Sequence, residues 1–336
     1  MERISMEHGS GGRATAELID GIFAEAFSNE VLSAMEDAAV VPGDAQIAIT
    51  TDSFVVTPME FAGGDIGRLA VCGTVNDLLM RGALPRYITS AFILEEGADT
   101  AVLKRIVASM AQTARESGVQ VVAGDTKVIE GNGGIYINTT GVGFVPKQTD
   151  VRAAGAKEWD AILVSGNLGD HHAAILSARM GISNHIVSDN APLGEMVQGL
   201  LQEGIRVHVL RDVTRGGLGT VLKELSLASG HQFQIEEKAI PVSAQVRDFC
   251  GLLGLDPLYM GNEGKLVAIV DASDEARALE IMRHARYGSD ACRIGTVLSA
   301  LAPDGTQNRS SVIMKTGIGG TRIVDVLQGE GLPRIC

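Results

Sequence analysis

The chain has 336 residues, enough for two domains of ordinary size with well-buried cores. Its formal charge of −13 argues against nucleic acid as a partner, because no basic patch offsets the acidic residues. No apolar run approaches the roughly 20 residues that span a bilayer, and the start lacks a basic-then-apolar signal segment. Four scattered cysteines without paired spacing argue against a disulfide framework and a structural zinc site. We therefore expect a cytoplasmic globular protein with no membrane segment.

A glycine-rich loop opens the first predicted helix. It consists of His8, Gly9, Ser10, Gly11 and Gly12. Apolar residues then recur at helical spacing over 13–27. Free backbone N–H groups and the positive end of the helix dipole suit such a loop to phosphate. Without a preceding strand or a Gly-Lys-Ser/Thr sequence, it is neither a dinucleotide-binding loop nor a P-loop, and a mobile N-terminus that caps its helix is the alternative.

Two α/β patterns follow in chain order. The first combines predicted strands and helices at 46–51, 66–80, 100–117, 119–123 and 135–145. The second does so at 161–165, 192–202, 218–229 and 266–270. The Pro-Lys-Gln sequence at 146–148 marks the boundary between them. Because no low-complexity linker separates the halves, we expect them to pack closely.

Carboxylates recur where strand-like runs end. Asp52, Asp125 and Asp212 each follow or end such a run beside Gly or Thr, so we expect their side chains in a loop-lined cleft. Asp77 lies inside a helix next to Asn76. Taken singly, Asp125 and Asp212 are natural turn or helix-capping residues. Together they predict an oxygen-ligand site for Mg²⁺, which takes carboxylates, waters and phosphate oxygens and would let an acidic protein bind a nucleotide.

Two adjacent histidines, His171 and His172, suggest a transition-metal site at first sight. Neighbouring side chains on a helix point about 100° apart, which does not favour a shared ion. Surface or helix-capping roles are therefore predicted for both.

The chain ends in a cysteine, Cys336, after a small and polar tail. Ten extended residues before it reach about 33 Å, enough to carry the thiol into the chain's own cleft or a neighbour's. A terminal thiol is exposed to oxidation unless it is used. A disordered end with an incidental cysteine is the alternative.

Short motifs in a fixed order indicate the family to which the sequence is similar. They are His8–Gly12, Thr51–Ser53, Asn76–Asp77, Gly124–Lys127, Ser165–His171, Asp212–Gly217, Asn262–Lys265 and Pro333–Cys336. With this set the whole chain resembles the HypE family of hydrogenase maturation proteins. That family lies within a larger group that includes aminoimidazole ribonucleotide synthetase, selenophosphate synthetase and thiamine-monophosphate kinase. The acidic motifs are shared with the wider group, whereas the terminal Pro-Arg-Ile-Cys is specific to HypE.

The resemblance implies a two-domain α/β (α+β) synthetase fold. Residues 1–148 would form an ATP-binding and dimerisation domain, whose sheet builds a barrel with that of a second copy. Residues 149–327 would form an α/β sandwich, and 328–336 a flexible tail that ends in the carrier cysteine.

The activity implied by the resemblance is an ATP-dependent dehydration. A HypF-type carbamoyltransferase places a carbamoyl group on Cys336, and the chain converts it to a thiocyanate. The cyano group then goes to iron held by a HypC–HypD complex, for a nickel–iron hydrogenase. One alternative is a sibling synthetase or small-molecule kinase that needs no terminal thiol. Another is a binding protein whose C-terminal peptide docks in a partner's groove.

The resemblance also assigns roles to residues. It implies that Mg²⁺–ATP is bound by Asp44, Asp52, Asn76, Asp77, Asp125, Thr126 and Asp212. The glycine loop would cradle phosphate, and Lys127 would hold a phosphate or the carboxamide oxygen. Glu263 is the candidate base for the carboxamide nitrogen, with a salt bridge to Lys265 or Lys127 as its alternative. His8 is a second candidate base.

Overall fold

The computed structural model describes residues 3–5, 8, 17–30, 43–44, 46–299, 310–327, 332 and 334–336. The predicted phosphate loop of Gly9, Ser10, Gly11 and Gly12 lies outside these residues. The first described helical segment is a π-helical stretch, Ile19–Ala24, whose Ile22 and Phe23 are buried.

The N-terminal half is built on a sheet of four strands. Its elements in chain order are β1 (Ile47–Phe54), the short pair β2 (Glu60–Phe61) and β3 (Gly64–Asp65), α1 (Ile66–Leu79), β4 (Leu84–Glu95), α2 (Thr100–Glu116), β5 (Gln120–Ile129) and β6 (Ile135–Phe144). The sheet order is β1-β6-β4-β5, with only β4 and β5 parallel. Both helices pack on one face of the sheet.

Both helices begin at an aspartate whose side chain caps the first turn. The Asp65 carboxylate accepts from the N–H groups of Gly67 and Arg68 at 2.7 and 2.9 Å, and Asp99 accepts from that of Ala101 at 2.8 Å. Helix α1 is apolar almost all round, because it is buried between this sheet and the second half of the chain. Its position decides which strand residues face the interior.

The other face of the sheet is left uncovered by the described helices. Four isoleucines stand there, Ile47, Ile49, Ile93 and Ile129, with exposed fractions of 52, 70, 41 and 42%. Pairing between strands puts Asp125 on this face as well, next to Ala91 of β4. Asp52 alternates with Ile49 and Thr51 along β1 and therefore faces the helices instead.

Two strands are longer than the sequence predicts. β1 continues through Asp52 to Phe54, and β5 continues through Gly124, Asp125, Thr126 and Lys127. The expectation that Asp52 and Asp125 follow or end their strands, with side chains in a loop-lined cleft, was therefore wrong. Both segments stay extended because neighbouring strands pair with them along their whole length.

The C-terminal half contains a seven-stranded sheet. Its strands are β7 (Ala161–Val164), β8 (Val207–Asp212), β9 (Gln232–Glu236), β10 (Leu266–Val270), β11 (Cys292–Leu298), β12 (Val312–Lys315) and β13 (Thr321–Val324). Its helices are α3 (Asp170–Met180), α4 (Gly194–Gln202), α5 (Gly217–Ser229), α6 (Ala244–Leu253) and α7 (Glu275–His284). The strand order is β13-β12-β9-β11-β7-β10-β8, and β7 and β10 are buried along their whole length. The domain limits stay a prediction.

One apolar core runs through both halves. It joins α1 and the first sheet to residues of the second sheet, and it includes Ile335 of the tail, which is 4% exposed. Asn76 of α1 ties the halves together as well: its amide donates to Ala191 O at 3.0 Å and accepts from Leu193 N–H at 2.9 Å. None of the helices in the described part of the chain is long and apolar enough to cross a membrane.

Candidate active site

The end of the chain is docked on its own subunit. Beyond β1, the N–H groups of Val55 and Thr57 donate to the carbonyls of Cys336 and Arg334 at 3.1 and 3.2 Å. The two bonds run in antiparallel order, so the tail lies alongside the segment that follows β1. Arg179 of α3 binds the same segment, because its guanidinium donates to the carbonyls of Arg334 and, at 2.6 Å, of Thr57. The described tail is held in place, and its predicted mobility stays a prediction.

The terminal thiol lies against a buried carboxyl group. The Cys336 thiol lies within interaction range of the Glu263 carboxyl group, which is 5% exposed. Burial, followed by repulsion from Glu263, raises the pKa of Cys336 to about 12. Burial also raises the pKa of Glu263 well above its ordinary value, with further repulsion from Asp189 and Asp212. The positive charge of Arg215 acts in the opposite direction on both groups.

Glu263 is held in place by the segment 188–190. Its N–H donates to the carboxylate of Asp189 at 3.0 Å. A side chain at Gly264 would collide with the carbonyl oxygen of Asp189, so glycine allows the two segments to meet. The alternative salt bridges are not formed, since Lys265 lies 3.7 Å from Asp189 and Lys127 lies 3.0 Å from Asp125. The carboxyl group is therefore aimed at the tail.

Three further carboxylates converge on the same place from both halves of the chain. Asp52 comes from β1, Asp77 from the end of α1, and Asp212 from the end of β8. Thr50 orients Asp77 by donating its hydroxyl hydrogen at 2.8 Å. Burial and then repulsion from Asp77 raise the pKa of Asp52 to about 6, and the same two causes raise that of Asp212 to about 6. A cation would relieve this repulsion.

The cluster leaves a carboxylate oxygen without a partner. Asp52 Oδ2 is buried and accepts no hydrogen bond. Over the described residues, no three or more His, Cys, Asp or Glu side chains form a ready-made metal cage. An unpartnered oxygen beside two other acids nevertheless fits a magnesium ion that takes most of its ligands from phosphate and water.

Other predicted site residues lie elsewhere in the chain. Asp125 and Lys127 form an exposed ion pair at 3.0 Å on the opposite face and opposite edge of the first sheet from Asp52. Asp44 lies three positions before the start of β1, and that end of the strand is about 17 Å from Asp52. The ring of His8 bonds to Ser5 at 3.0 and 3.1 Å. A single chain does not bring these residues to the thiol.

Two polar residues of the predicted nucleotide set have other bonds in the structure. Both ends of the Asn76 amide are taken up by the backbone of 191–193. Thr126 lies within β5, where its N–H donates to the carboxylate of Asp125 at 2.8 Å. Their contacts with a cofactor stay predictions.

The surface or capping role predicted for His171 was wrong. Its ring is fully buried, with Nε2 2.8 Å from the Ile335 carbonyl and Nδ1 2.7 Å from the Ser188 hydroxyl. The prediction failed because the tail and the segment 188–190, both distant in sequence, cover this helix. Arg215 was also missed, although it follows Asp212 by three residues in the same glycine-rich motif.

Both halves of the chain match known domains. Residues 35–145 match the AIR synthase related protein, N-terminal domain, and residues 158–302 match the AIR synthase related protein, C-terminal domain. Fold and site thus define a protein of the AIR synthase related class. The carbamoyl dehydratase HypE of Cupriavidus necator is 52% identical over 340 residues, which cover 99% of this chain and 95% of that one. The chain belongs to the HypE family of carbamoyl dehydratases.

Solved structures agree with this assignment. A HypE in complex with ATP superposes with a TM-score of 0.94 at 45% identity, over 98% of this chain and 99% of that one. A HypE in a HypE–HypF complex superposes with a TM-score of 0.78 at 46% identity, over 92% and 99%. The predicted family, two-domain α/β fold and enzyme class are confirmed.

Proposed function

We propose that this chain uses ATP to dehydrate an S-carbamoyl group on Cys336 to a thiocyanate, as a ligand source for hydrogenase iron. The observation that carries the proposal is the contact between the terminal thiol and buried Glu263, inside a cluster of acids. A group carried on that sulfur would be delivered to the cluster by the tail's own backbone pairing. A related synthetase or kinase that does not use its terminal thiol would not need this docking.

The reaction balances with one ATP for each carbamoyl group. The carboxamide oxygen takes the γ-phosphoryl group of ATP and releases ADP, which turns a poor leaving group into phosphate. Loss of that phosphate and of both nitrogen protons then leaves S–C≡N. The net products are thiocyanate, ADP, phosphate and one proton. The chain contributes mainly by holding the thiocarboxamide and the phosphoryl group in line.

Glu263 is suited to remove a nitrogen proton. It already meets the atom to which the carbamoyl group is attached, so the carboxamide lies within its reach. A carboxylate whose pKa is raised by burial is a stronger base than an exposed one, and burial acts this way on Glu263. Arg215 offsets part of the negative charge and keeps the ionised form accessible.

Asp52, Asp77 and Asp212 would hold a magnesium ion with the nucleotide. When bound, that ion supplies charge neutralisation for the phosphate oxygens. The unpartnered Asp52 Oδ2 and the raised pKa of Asp52 and Asp212 support this role. Titration calorimetry tests it: ATP should bind at least tenfold more tightly with Mg²⁺ than without. Asp52→Asn should lose that difference, and an equal Mg²⁺ effect in the variant would remove Asp52 from the ligand set.

A homodimer completes the proposal. The uncovered face of the first sheet exposes four isoleucines, and Asp125 and Lys127 lie on it, away from the cluster of their own chain. A second copy on this face would bury the isoleucines and bring the two carboxylate sets to one interface. Lys127 could then act on a phosphate or carboxamide oxygen.

The partners in the proposal follow from the chemistry of the thiol. The carbamoyl group would come from a HypF-type transferase, since a relative is solved in a HypE–HypF complex. The cyano group would pass to iron on a HypC–HypD complex, which only family membership supports. A cytoplasmic, reducing compartment would keep the terminal thiol free.

The test is an intact-mass and C-terminal-peptide spectrum after incubation with the carbamoylating partner, carbamoyl phosphate and ATP. We expect a carbamoyl adduct on Cys336 that loses one water only with Mg²⁺ and hydrolysable ATP. Cys336→Ser should give no thiocyanate while it still binds ATP. An unmodified Cys336, with both proteins active, would leave the sibling synthetase or the docking peptide.

A further inference from the structure

The first turn of α3 connects the tail to the rest of the active site. His171 of that turn is fully buried, and its two ring nitrogens contact different segments. Nε2 lies 2.8 Å from the carbonyl oxygen of Ile335, and Nδ1 lies 2.7 Å from the hydroxyl of Ser188. Phe61 packs edge-on against the ring at 5.5 Å. The imidazole is therefore fixed on three sides.

The hydrogen bonds define which nitrogen carries the proton. A carbonyl oxygen only accepts, so Nε2 must donate to Ile335. The Ser188 hydroxyl oxygen accepts from Asn190 N–H at 3.1 Å, which leaves its own hydrogen for Nδ1. Burial lowers the pKa of His171, consistent with a neutral ring. Ser188, His171 and Ile335 thus form a directed chain that ends on the tail.

The same segment also holds the proposed base. Asp189, next to Ser188, accepts the N–H of Glu263 at 3.0 Å. Residues 188–190 therefore hold both the Ile335 carbonyl of the tail, through His171, and Glu263, through a direct hydrogen bond. A shift of the tail relative to this segment would move the thiol away from Glu263.

The docked thiol is poorly placed to meet a partner. Cys336 is half-buried and its pKa is raised to about 12, so it reacts poorly where it lies. A transferase that loads this sulfur requires the tail to leave, and dehydration requires it to return. The bond from His171 to Ile335 breaks and reforms each time.

We propose that His171 is a positioning residue that holds the loaded tail in register with Glu263, and that Ser188 keeps its ring in the donating form. The role of His171 in catalysis rests on the proposed function. The docking itself is a property of the chain, and it can be measured without carbamoyl chemistry.

Thiol labelling in the full-length chain measures docking directly. Cys72 and Cys250 are buried, so a Cys292→Ser background leaves Cys336 as the thiol to follow with a chromogenic disulfide. The labelling rate reports the fraction of undocked tail, because the free thiol is far more reactive. We expect His171→Ala to label about 5- to 30-fold faster than its parent, the effect of one buried hydrogen bond. Ser188→Ala should label about 2- to 5-fold faster.

Two further variants separate positioning from folding. His171→Gln can still donate to Ile335 from its amide nitrogen, so its labelling rate should return to near that of the parent. His185→Ala removes an exposed imidazole and should label at the parent rate. Melting temperatures measured alongside identify any general destabilisation of His171→Ala.

The functional arm follows the two half-reactions separately. In His171→Ala, carbamoylation of Cys336 should proceed at least as fast as in the parent, while single-turnover dehydration should slow by the same 5- to 30-fold factor. A labelling rate within twofold of the parent would overturn the proposal, as would slower dehydration without faster labelling. If the parent shows no carbamoyl chemistry but His171→Ala labels faster, the proposed function fails and the tail contact stands.

Discussion

Asp52 and Asp125 look alike in the sequence and lie in strands of the same sheet, but they differ in the face they occupy, in their partners and in their pKa. Each stands beside a threonine at the end of an apolar run. Asp52 faces the helices, next to Asp77, and its pKa is raised to about 6. Asp125 faces the uncovered side, pairs with Lys127, and its pKa is lowered, chiefly by that hydrogen bond. Charge environment is set by the face of the sheet and not by the local motif.

The difference suggests separate roles for the two sets of acids. The acids around Asp52 are held close together despite their electrostatic repulsion. This is typical of groups that bind a cation or transfer a proton. The Asp125–Lys127 pair is already neutralised and lies on a surface that a second copy would cover. Three experiments test whether the two sets of acids behave differently.

The largest effect is expected for Glu263→Gln, at the centre of the repulsive cluster. Without a base for the carboxamide nitrogen, dehydration should slow by about 10²- to 10⁴-fold. Mass spectrometry of the C-terminal peptide should show the carbamoyl adduct accumulating, and calorimetry should show ATP binding within about twofold of the parent.

The matched control is Glu60→Gln, whose glutamate is exposed and paired with Arg105 at 2.8 Å. It should dehydrate at the parent rate. Equal rates in Glu263→Gln and its parent would remove Glu263 from the mechanism. The raised pKa of that carboxyl group would then be only a consequence of burial.

The next effect tests whether a second copy unites the two sets of acids. Ile49→Glu puts a charge on the uncovered face, where Ile49 is 70% exposed in the single chain. If this face is the dimer interface, sedimentation should show weaker association of the subunits, with the dimer affinity reduced at least 100-fold. Dehydration should fall with it, because Asp125 and Lys127 would no longer share the site.

Leu252→Glu serves as the control, since Leu252 lies on α6 and is 76% exposed. Its oligomeric state should match that of the parent. An unchanged dimer in Ile49→Glu would place the interface elsewhere. Asp125 and Lys127 would then remain separated from the cluster.

The smallest effect is on stability, and its sign differs between the two acids. Asp52 binds its proton more tightly folded than unfolded, so its contribution lowers stability as pH rises from about 4 to about 6. The raised pKa corresponds to at most about 3 kcal/mol, and partial solvation reduces this to about 1 kcal/mol. Asp52→Asn should therefore be more stable than the parent at pH 7 and about equal at pH 4.

Asp125→Asn should show the opposite trend. Its lowered pKa stabilises the fold above about pH 4, and this contribution is lost as pH falls. Because the pair is exposed, the loss at pH 7 should be only a few tenths of a kcal/mol. Urea unfolding at both pH values measures both variants. A destabilised Asp52→Asn at pH 7 would mean that its carboxylate already has a favourable partner.

The glycine at 124 shows why the local motif misled the sequence reading. Gly-Asp-Thr-Lys is typical of a turn, but Gly124 lies in mid-strand opposite Ser90. A Cβ there would stand 2.6 Å from the Ser90 carbonyl oxygen, so the glycine permits a close approach of two strands. Once β5 stays extended, alternation alone turns Asp125 and Lys127 to the uncovered face.

Helices and strands were largely predictable because their signals are local. The strand Leu266–Val270 and the helix α1 are where apolar runs and helical spacing put them. The family and the enzyme class were also predictable, since an ordered set of motifs can be recognised without coordinates.

The tertiary structure alone decided which of these residues meet. His171 is buried because a tail 164 residues away covers it, and Glu263 reaches Cys336 because the segment 188–190 holds it. Such contacts depend on how sheets stack and where strands alternate, which no short window of sequence contains. The amino-acid sequence supplies the chemical groups of this chain, and packing brings the thiol, Glu263 and three further acids close together.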